Sequence, residues 1–225
     1  MSLPSAGTDP ADRPGVAAFD FDGTLSVRDT LVPFLVGLAG RRAMASLLGG
    51  SGAELVRGRG RSRDAAKTIV LRRVMTGRPA VDVAAAGTRY AARLLPRLRP
   101  DGLERVRWHQ QRGDRVVLVS ASLGVYLRPL ADELGLDGVE AVELVVDADG
   151  LLTGAMTGPN CRGPEKVVRL DGWLAGAGLD RSSIELWAYG DSTGDDELLA
   201  AADHAHRCGR PPRKSGDRRG VRITG

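Results

Sequence analysis

Two carboxylates stand two residues apart in Asp20-Phe-Asp22-Gly-Thr24, directly after the apolar run Val16-Ala-Ala-Phe19. That run reads as a buried strand, and the glycine after it as a turn. Both acids then project from one strand end into one space. Repulsion and desolvation make this costly unless a cation or a catalytic role compensates. Phosphoryl transfer would use both: Asp20 attacks phosphorus in line, while Asp22 protonates the leaving oxygen and later deprotonates water. A turn that merely caps the next helix would need one Asp.

Three later clusters belong to the same chemistry. Ser120 ends the strand predicted over residues 116–119. Its hydroxyl, with the N–H groups of Ala121 and Ser122, could hold phosphoryl oxygens at a helix N-terminus; an ordinary serine N-cap is the plainer alternative. Lys166 lies two residues after Pro164, in a first helical turn where the helix dipole disfavours a cation. An anion to neutralise would explain it, and so would simple solvation. Gly190-Asp191-Ser-Thr-Gly-Asp195-Asp196 again sets carboxylates just past a strand. Hard oxygen donors grouped in this way suit Mg²⁺, and helix capping by Asp195 and Asp196 is compatible with that role.

These groups need a frame that gathers strand ends. The pattern predicts strands at 16–19, 116–119 and 184–189, and helices at 125–134, 164–174 and 195–202. Residues 139–146 and 151–156 flank Asp147-Ala-Asp-Gly150 as a hairpin. From about Thr30 to Pro100, Ala, Leu and Arg dominate with helical spacing, which predicts a helical insertion of roughly 70 residues. Strand–helix alternation defines an α/β fold, a doubly wound, Rossmann-like parallel sheet whose ligands bind beyond the carboxyl ends of its strands. Residues 1–14 read as a flexible leader and 207–225 as a basic flexible tail.

Composition excludes several classes. The chain has 225 residues, 42% apolar and 27% charged, values typical of a soluble globular protein. Cys161 and Cys208 do not make a disulfide scaffold, and the three scattered histidines form no zinc cluster. The start lacks a signal peptide, and the longest apolar run, 31–39, is too short to span a bilayer. A cytoplasmic location is expected. The net charge of +4 is uneven: residues 41–78 hold ten Lys/Arg against two acids, and 207–225 seven against one.

The order of the four clusters resembles the haloacid dehalogenase (HAD) superfamily over about residues 15–205. Val117-Leu-Val-Ser-Ala-Ser122 and Gly158-Pro-Asn-Cys-Arg-Gly-Pro-Glu-Lys166 look like its phosphoserine phosphatase-like (IB) branch. The resemblance implies a core of 15–29 and 103–206, with 30–102 as a C1-type helical cap. It implies Asp20 as nucleophile, Asp22 as general acid/base, and Ser120 and Lys166 on the phosphoryl group. Mg²⁺ would be held by Asp20, the Asp22 carbonyl and Asp191, supported by Asp195.

In phosphoserine phosphatases an acid nine residues beyond the nucleophile holds the substrate amine and a cap arginine its carboxylate. Asp29 and Arg73 occupy comparable positions here, although Asp29 could equally be a helix N-cap. Gly23-Thr24 and Ser120-Ala121-Ser122 depart from that family's usual residues and point to a different small anionic phosphate ester. The basic cap would steer such an ester inward. It could instead meet a membrane, with 31–38, Arg41-Arg42 and Leu47-Leu48 as an interfacial helix and a lysophospholipid or phosphatidylglycerol phosphate as substrate. Packing inside the cap is the preferred account of that apolar face. Nucleic-acid binding by Arg57-Gly-Arg-Gly-Arg-Ser-Arg63 and the tail is the competing class, but aromatics are only 4%, so stacking platforms are scarce. A phosphoaspartate receiver would need neither the cap nor Asp22.

Overall fold

Every residue of the first strand is buried, as a central strand covered on both faces requires. The computed structural model describes residues 13–42, 45 and 61–209. Its strands are Gly15–Phe19 (β1), Arg115–Leu123 (β2), Gly138–Val142 (β3), Leu144–Val146 (β4), Leu152–Met156 (β5), Glu185–Gly190 (β6) and His204–Arg207 (β7). Five of them form one sheet in the order β3-β2-β1-β6-β7, with every neighbouring pair parallel. The chain leaves β1 in both directions of the sheet, so the crevice beyond its carboxyl end lies at the topological switch point.

The helices are Leu31–Ala39 (α1), Arg61–Met75 (α2), Ala80–Leu94 (α3), Pro100–Arg112 (α4), Gly124–Leu134 (α5), Pro164–Gly176 (α6) and Asp196–Ala200 (α7). Proline opens both α4 and α6, where its missing N–H costs nothing. Val116, Val117, Leu118 and Val119 of β2 and Leu186 and Ala188 of β6 close around β1 as the core of the sheet.

Helices α1, α2 and α3 form the insertion. Phe34 of α1, Tyr90 of α3 and Tyr126 of α5 meet with ring centroids 5.0–5.3 Å apart, which joins insertion and core through one aromatic cluster. Two further bonds reinforce it: the Tyr90 hydroxyl donates to the Thr30 carbonyl at 2.9 Å, and the Thr30 and Tyr126 hydroxyls lie 3.2 Å apart. The far end is fastened differently. The connection from α2 to α3 pairs with the β4–β5 hairpin through Gly77 N–H to Leu152 C=O, Leu152 N–H to Arg78 C=O and Ala80 N–H to Gly150 C=O. The apolar face of α1 turns inward: Phe34 and Leu35 are buried, and Leu31, Val36, Leu38 and Ala39 pack against the core. Among the described residues no helix is long and apolar enough to cross a membrane.

Several sequence expectations change. The predicted strand over 139–146 is two strands: β3 joins the parallel sheet, and β4 pairs antiparallel with β5. The break falls at Glu143, whose carboxylate meets Arg128 at 2.8 Å. The predicted boundary at residue 102 lies inside α4, which runs unbroken from Pro100. The fold also continues past residue 202. β7 adds a fifth sheet strand, and Arg99 donates to the Gly209 carbonyl at 2.9 Å, so 207–209 belong to the core rather than to a tail. At the other end Glu185 N–H donates to the Pro14 carbonyl, which draws residue 14 into the core as well. Residues 1–12, Leu47-Leu48, the 57–60 part of the Arg-rich run and residues 210–225 lie outside the described residues.

Candidate active site

Past the end of β1 the chain folds tightly: the N–H groups of Thr24, Leu25 and Ser26 all point to the Phe21 carbonyl, at 2.9–3.2 Å. This turn brings Asp20 and Asp22 to the same crevice while burying Phe21 and Leu25 beneath it. The Asp20 carboxylate accepts from Lys166 Nζ at 2.6 Å, and Thr24 Oγ1 lies 3.5 Å from its other oxygen. Lys166 is fully buried and donates a second bond, at 2.5 Å, to Asp195. Burial opposes the lysine's charge, but the two carboxylates outweigh it and hold the ammonium above its ordinary range. Burial also dominates at Asp20, pushing that carboxyl up to about 7 against the pull of Lys166.

Asp22 is held by Ser26 and Thr30 of the loop before α1 and by Ser122 of β2. Its Oδ1 accepts from Thr30 N–H at 3.0 Å, Thr30 Oγ1 at 2.7 Å and Ser26 Oγ at 3.3 Å. Its Oδ2 accepts from Ser122 Oγ at 2.5 Å. Burial raises this carboxyl to about 6 even though the hydroxyls stabilise the charged form. Both side-chain oxygens are thereby engaged within the protein.

The third strand end carries Asp191 and Asp195. Asp195 precedes α7, yet its side chain caps nothing in that helix. It turns back instead: Oδ2 accepts from the N–H groups of Asp191 (3.2 Å) and Ser192 (3.0 Å) and from Ser192 Oγ (2.9 Å), while Oδ1 takes Lys166. Burial works against charge on Asp195, but Lys166 and these donors hold it below the usual carboxylate range. Two glycines permit the approach. A Cβ on Gly190 would lie 2.5 Å from the Cβ of Asp195, and one on Gly23, at φ +88°, would lie 2.1 Å from an Asp191 oxygen. Ligand oxygens of Asp20, Asp191 and Asp195 fall within 4.8 Å of one another, the donor set of a hard divalent cation.

The serine cluster differs from expectation. β2 continues through an irregularity to Leu123, and α5 starts only at Gly124, so Ser120, Ala121 and Ser122 form no helix N-terminus. Ser120 Oγ accepts from Ser122 N–H at 3.2 Å and still has its own proton to donate into the crevice. Both the hydroxyl and the amide of Ser122 are thereby engaged within the protein. Ser122 orients Asp22 rather than touching substrate.

Asp29 lines the crevice, and its Oδ1 accepts from Val32 N–H at 3.0 Å, so the capping alternative is realised at the start of α1. Arg73 is exposed and lies outside the crevice lining. Lys67, one α-helical face earlier on α2, reaches inward instead. It donates to the Ala121 carbonyl and, at 2.6 Å, to Asn160 Oδ1, while Asn160 donates to Asp64 at 2.6 Å. Burial lowers the Lys67 ammonium to about 8, with Cys161, Asp64 and Asp22 opposing. Nothing in an Arg-rich helix marked that lysine out. The crevice encloses about 410 Å³ between Asp20, Asp22, Ser120, Lys166 and Asp191.

A buried cation shared by two carboxylates, a second hydrogen-bonded acid and a metal-type donor set at one switch point define a phosphoryl-transfer site. Residues 17–200 match the haloacid dehalogenase-like hydrolase family. This chain belongs to that family of hydrolases, and its fold is that of phosphoserine phosphatases. Protein CicA of Caulobacter vibrioides is 34% identical over 192 residues, covering 85% of this chain and 84% of CicA. A Bordetella pertussis protein of unknown function superposes with a TM-score of 0.72 at 29% identity, over 84% of this chain and 87% of that one. A substrate-bound phosphoserine phosphatase shares the fold, with a TM-score of 0.57 at 21% identity over 84% of this chain and 83% of that one.

Proposed function

We propose that this chain is a Mg²⁺-dependent phosphomonoesterase that works through a phosphoaspartate on Asp20 and takes a small anionic phosphorylated metabolite. The observation that carries this reading is the Lys166 bridge between Asp20 and Asp195, with Asp22 oriented beside it by Ser122 and Thr30. The clustered carboxylates of Asp20, Asp191 and Asp195 suit Mg²⁺; Asp20 and Asp191 with the Asp22 carbonyl would hold it, and Asp195, bonded to Lys166, would support them. When bound, Mg²⁺ supplies positive charge to the phosphoryl oxygens.

The residues divide the remaining work. Asp20 attacks phosphorus, a P–O bond to aspartate forms, and the ester P–O bond breaks. Asp22, raised to about 6, gives its proton to the leaving oxygen. As a carboxylate it then takes a proton from water, whose oxygen attacks phosphorus. The aspartyl P–O bond breaks, Asp20 is regenerated and inorganic phosphate departs. Lys166 and the Ser120 hydroxyl hold the phosphoryl oxygens throughout. The inward packing of Phe34 and Leu35 favours a soluble metabolite over a membrane-surface substrate. Two free cysteines fit a reducing cytoplasm.

Hydrolysis of p-nitrophenyl phosphate with and without Mg²⁺, for the wild type and Asp20→Asn, tests the proposal. Metal-dependent turnover that Asp20→Asn abolishes is expected. Wild-type turnover in that variant would overturn the nucleophile assignment.

A further inference from the structure

A second cavity of about 410 Å³ lies against the insertion, between the 27–29 loop and the end of α3. Val27, Arg28 and Asp29 line both it and the catalytic crevice, so the exposed 27–29 loop is the shared border of the two hollows. Tyr90, Leu94 and Pro33 give the cavity an apolar wall, and Arg28, Arg93 and Arg97 give it three guanidinium groups.

Three guanidinium groups on one hollow make it strongly positive. Arg99, Arg112, Arg128, Arg169, Arg181 and Arg207 each lie within 4 Å of a carboxylate. Arg28, Arg93 and Arg97 form no ion pair among the described residues, although all three are exposed and converge on one hollow. Arg93 instead stacks over Tyr90, its guanidinium carbon 5.7 Å from the ring centre. Arg93 on α3 and Arg97 at the end of the 3-10 turn that follows it set two like charges on one wall of the hollow, where they repel. The one acid in the lining, Asp29, offsets only one of these three positive charges. A partner anion would relieve the repulsion and use a positive field that now ends on solvent.

We propose that this cavity is a second anion subsite, and that the substrate is a phosphate ester whose leaving group carries a further carboxylate or phosphate on a short apolar spacer. This rests on the phosphatase reading above. The phosphoryl end sits between Asp20, Ser120 and Lys166. The spacer crosses Val27, and the distal anion takes hydrogen bonds from Arg93 and Arg97. Charge-assisted bonds of this kind are the strong class, and forked guanidinium donors match planar carboxylate and tetrahedral phosphate alike.

The test compares n-butyl phosphate, 4-phosphooxybutanoate and butane-1,4-diol bisphosphate as substrates. The two doubly anionic esters should show KM values about tenfold below n-butyl phosphate. Whichever is lower identifies the distal group. In the double variant Arg93→Gln/Arg97→Gln that advantage should vanish, while kinetics with n-butyl and p-nitrophenyl phosphate stay within about twofold of wild type. Equal KM values for all three esters in the wild type would overturn the proposal, as would a double variant that raises them all alike. Calorimetric titration of butane-1,4-diol bisphosphate in the presence of Mg²⁺ reads the cavity without turnover. If p-nitrophenyl phosphate is not hydrolysed at all, the phosphatase reading fails on its own. The titration still decides the subsite, by an approximately tenfold weaker Kd in the double variant or by no change.

Discussion

Replacing Lys166 with methionine keeps the volume and flexibility of the side chain and removes its charge. Lys166 is 1% exposed and Asp195 equally so, so water cannot take over the task of the ammonium. The Asp20 and Asp195 oxygens, each within 2.6 Å of Nζ, would be left facing each other without a cation. Breaking one side of a buried ion pair costs about 3–5 kcal/mol. At about 2–4 °C per kcal/mol for a chain of this size, that is a fall in Tm of roughly 6–20 °C. Protonation offers a release, and Asp20 is the carboxyl that gives way, since it already stands near 7 while Asp195 keeps its bonds from Asp191 N–H and Ser192. Without Lys166 its folded pKa rises further above the ordinary 3.8. Between those values the folded protein binds a proton that the unfolded chain does not, so stability falls as pH rises through the interval. Thermal denaturation without metal should therefore find Lys166→Met close to wild type near pH 5 and most destabilised near pH 8.5. Turnover of p-nitrophenyl phosphate should drop by about a hundredfold or more. A ΔTm that is the same at every pH would refute the ion-pair reasoning, and undiminished turnover would refute the catalytic role.

Gly23→Ala places a Cβ against Asp191 at positive φ; it should cost about 1–3 kcal/mol and weaken Mg²⁺ binding, read as a raised Mg²⁺ midpoint for activity. Asp22→Asn should lower kcat about 10²–10⁴-fold on alkyl phosphates, and less on p-nitrophenyl phosphate, whose leaving oxygen needs no proton. His109 is buried between Asp114 and the Tyr189 hydroxyl, and burial holds its pKa below 6.5. The unfolded chain thus binds the proton first, so stability should fall as pH drops below about 6.5, and His109→Gln should flatten that slope in urea titrations. Asn160→Ala removes an acceptor of Lys67 and the donor to Asp64; it should raise KM for phosphate esters while leaving Tm within about 4 °C of wild type.

The strand-end residues were legible because their chemistry is local. Asp20, Asp22, Ser120, Lys166, Asp191 and Asp195 each follow an apolar run or a helix-opening proline, and parallel topology then gathers them. What escaped is set by packing between distant segments. Lys67 gains its inward position from the seating of α2 on β5, where the Arg72 backbone comes within van der Waals reach of Gly154, and Arg73 is turned outward by the same seating. β7 escaped because His204-Ala-His206-Arg reads as a polar end. Its imidazoles stack on Trp187 and Tyr189, at 3.9 and 4.9 Å, beside the parallel pairing with β6. One apolar stretch became β3 and β4 because Glu143 turns toward Arg128, a partner visible only once α5 is in place.

The pairing of the α2–α3 connection with the β4–β5 hairpin has a mechanical consequence. A cover attached to its base only through two chain crossings can swing away whole. This one is also stitched at its opposite rim by three backbone bonds, so its freedom is that of a door with a second hinge line. For the proposed cap, motion that admits substrate is expected on the side facing the 27–29 loop. The two layers should also melt as a single calorimetric unit.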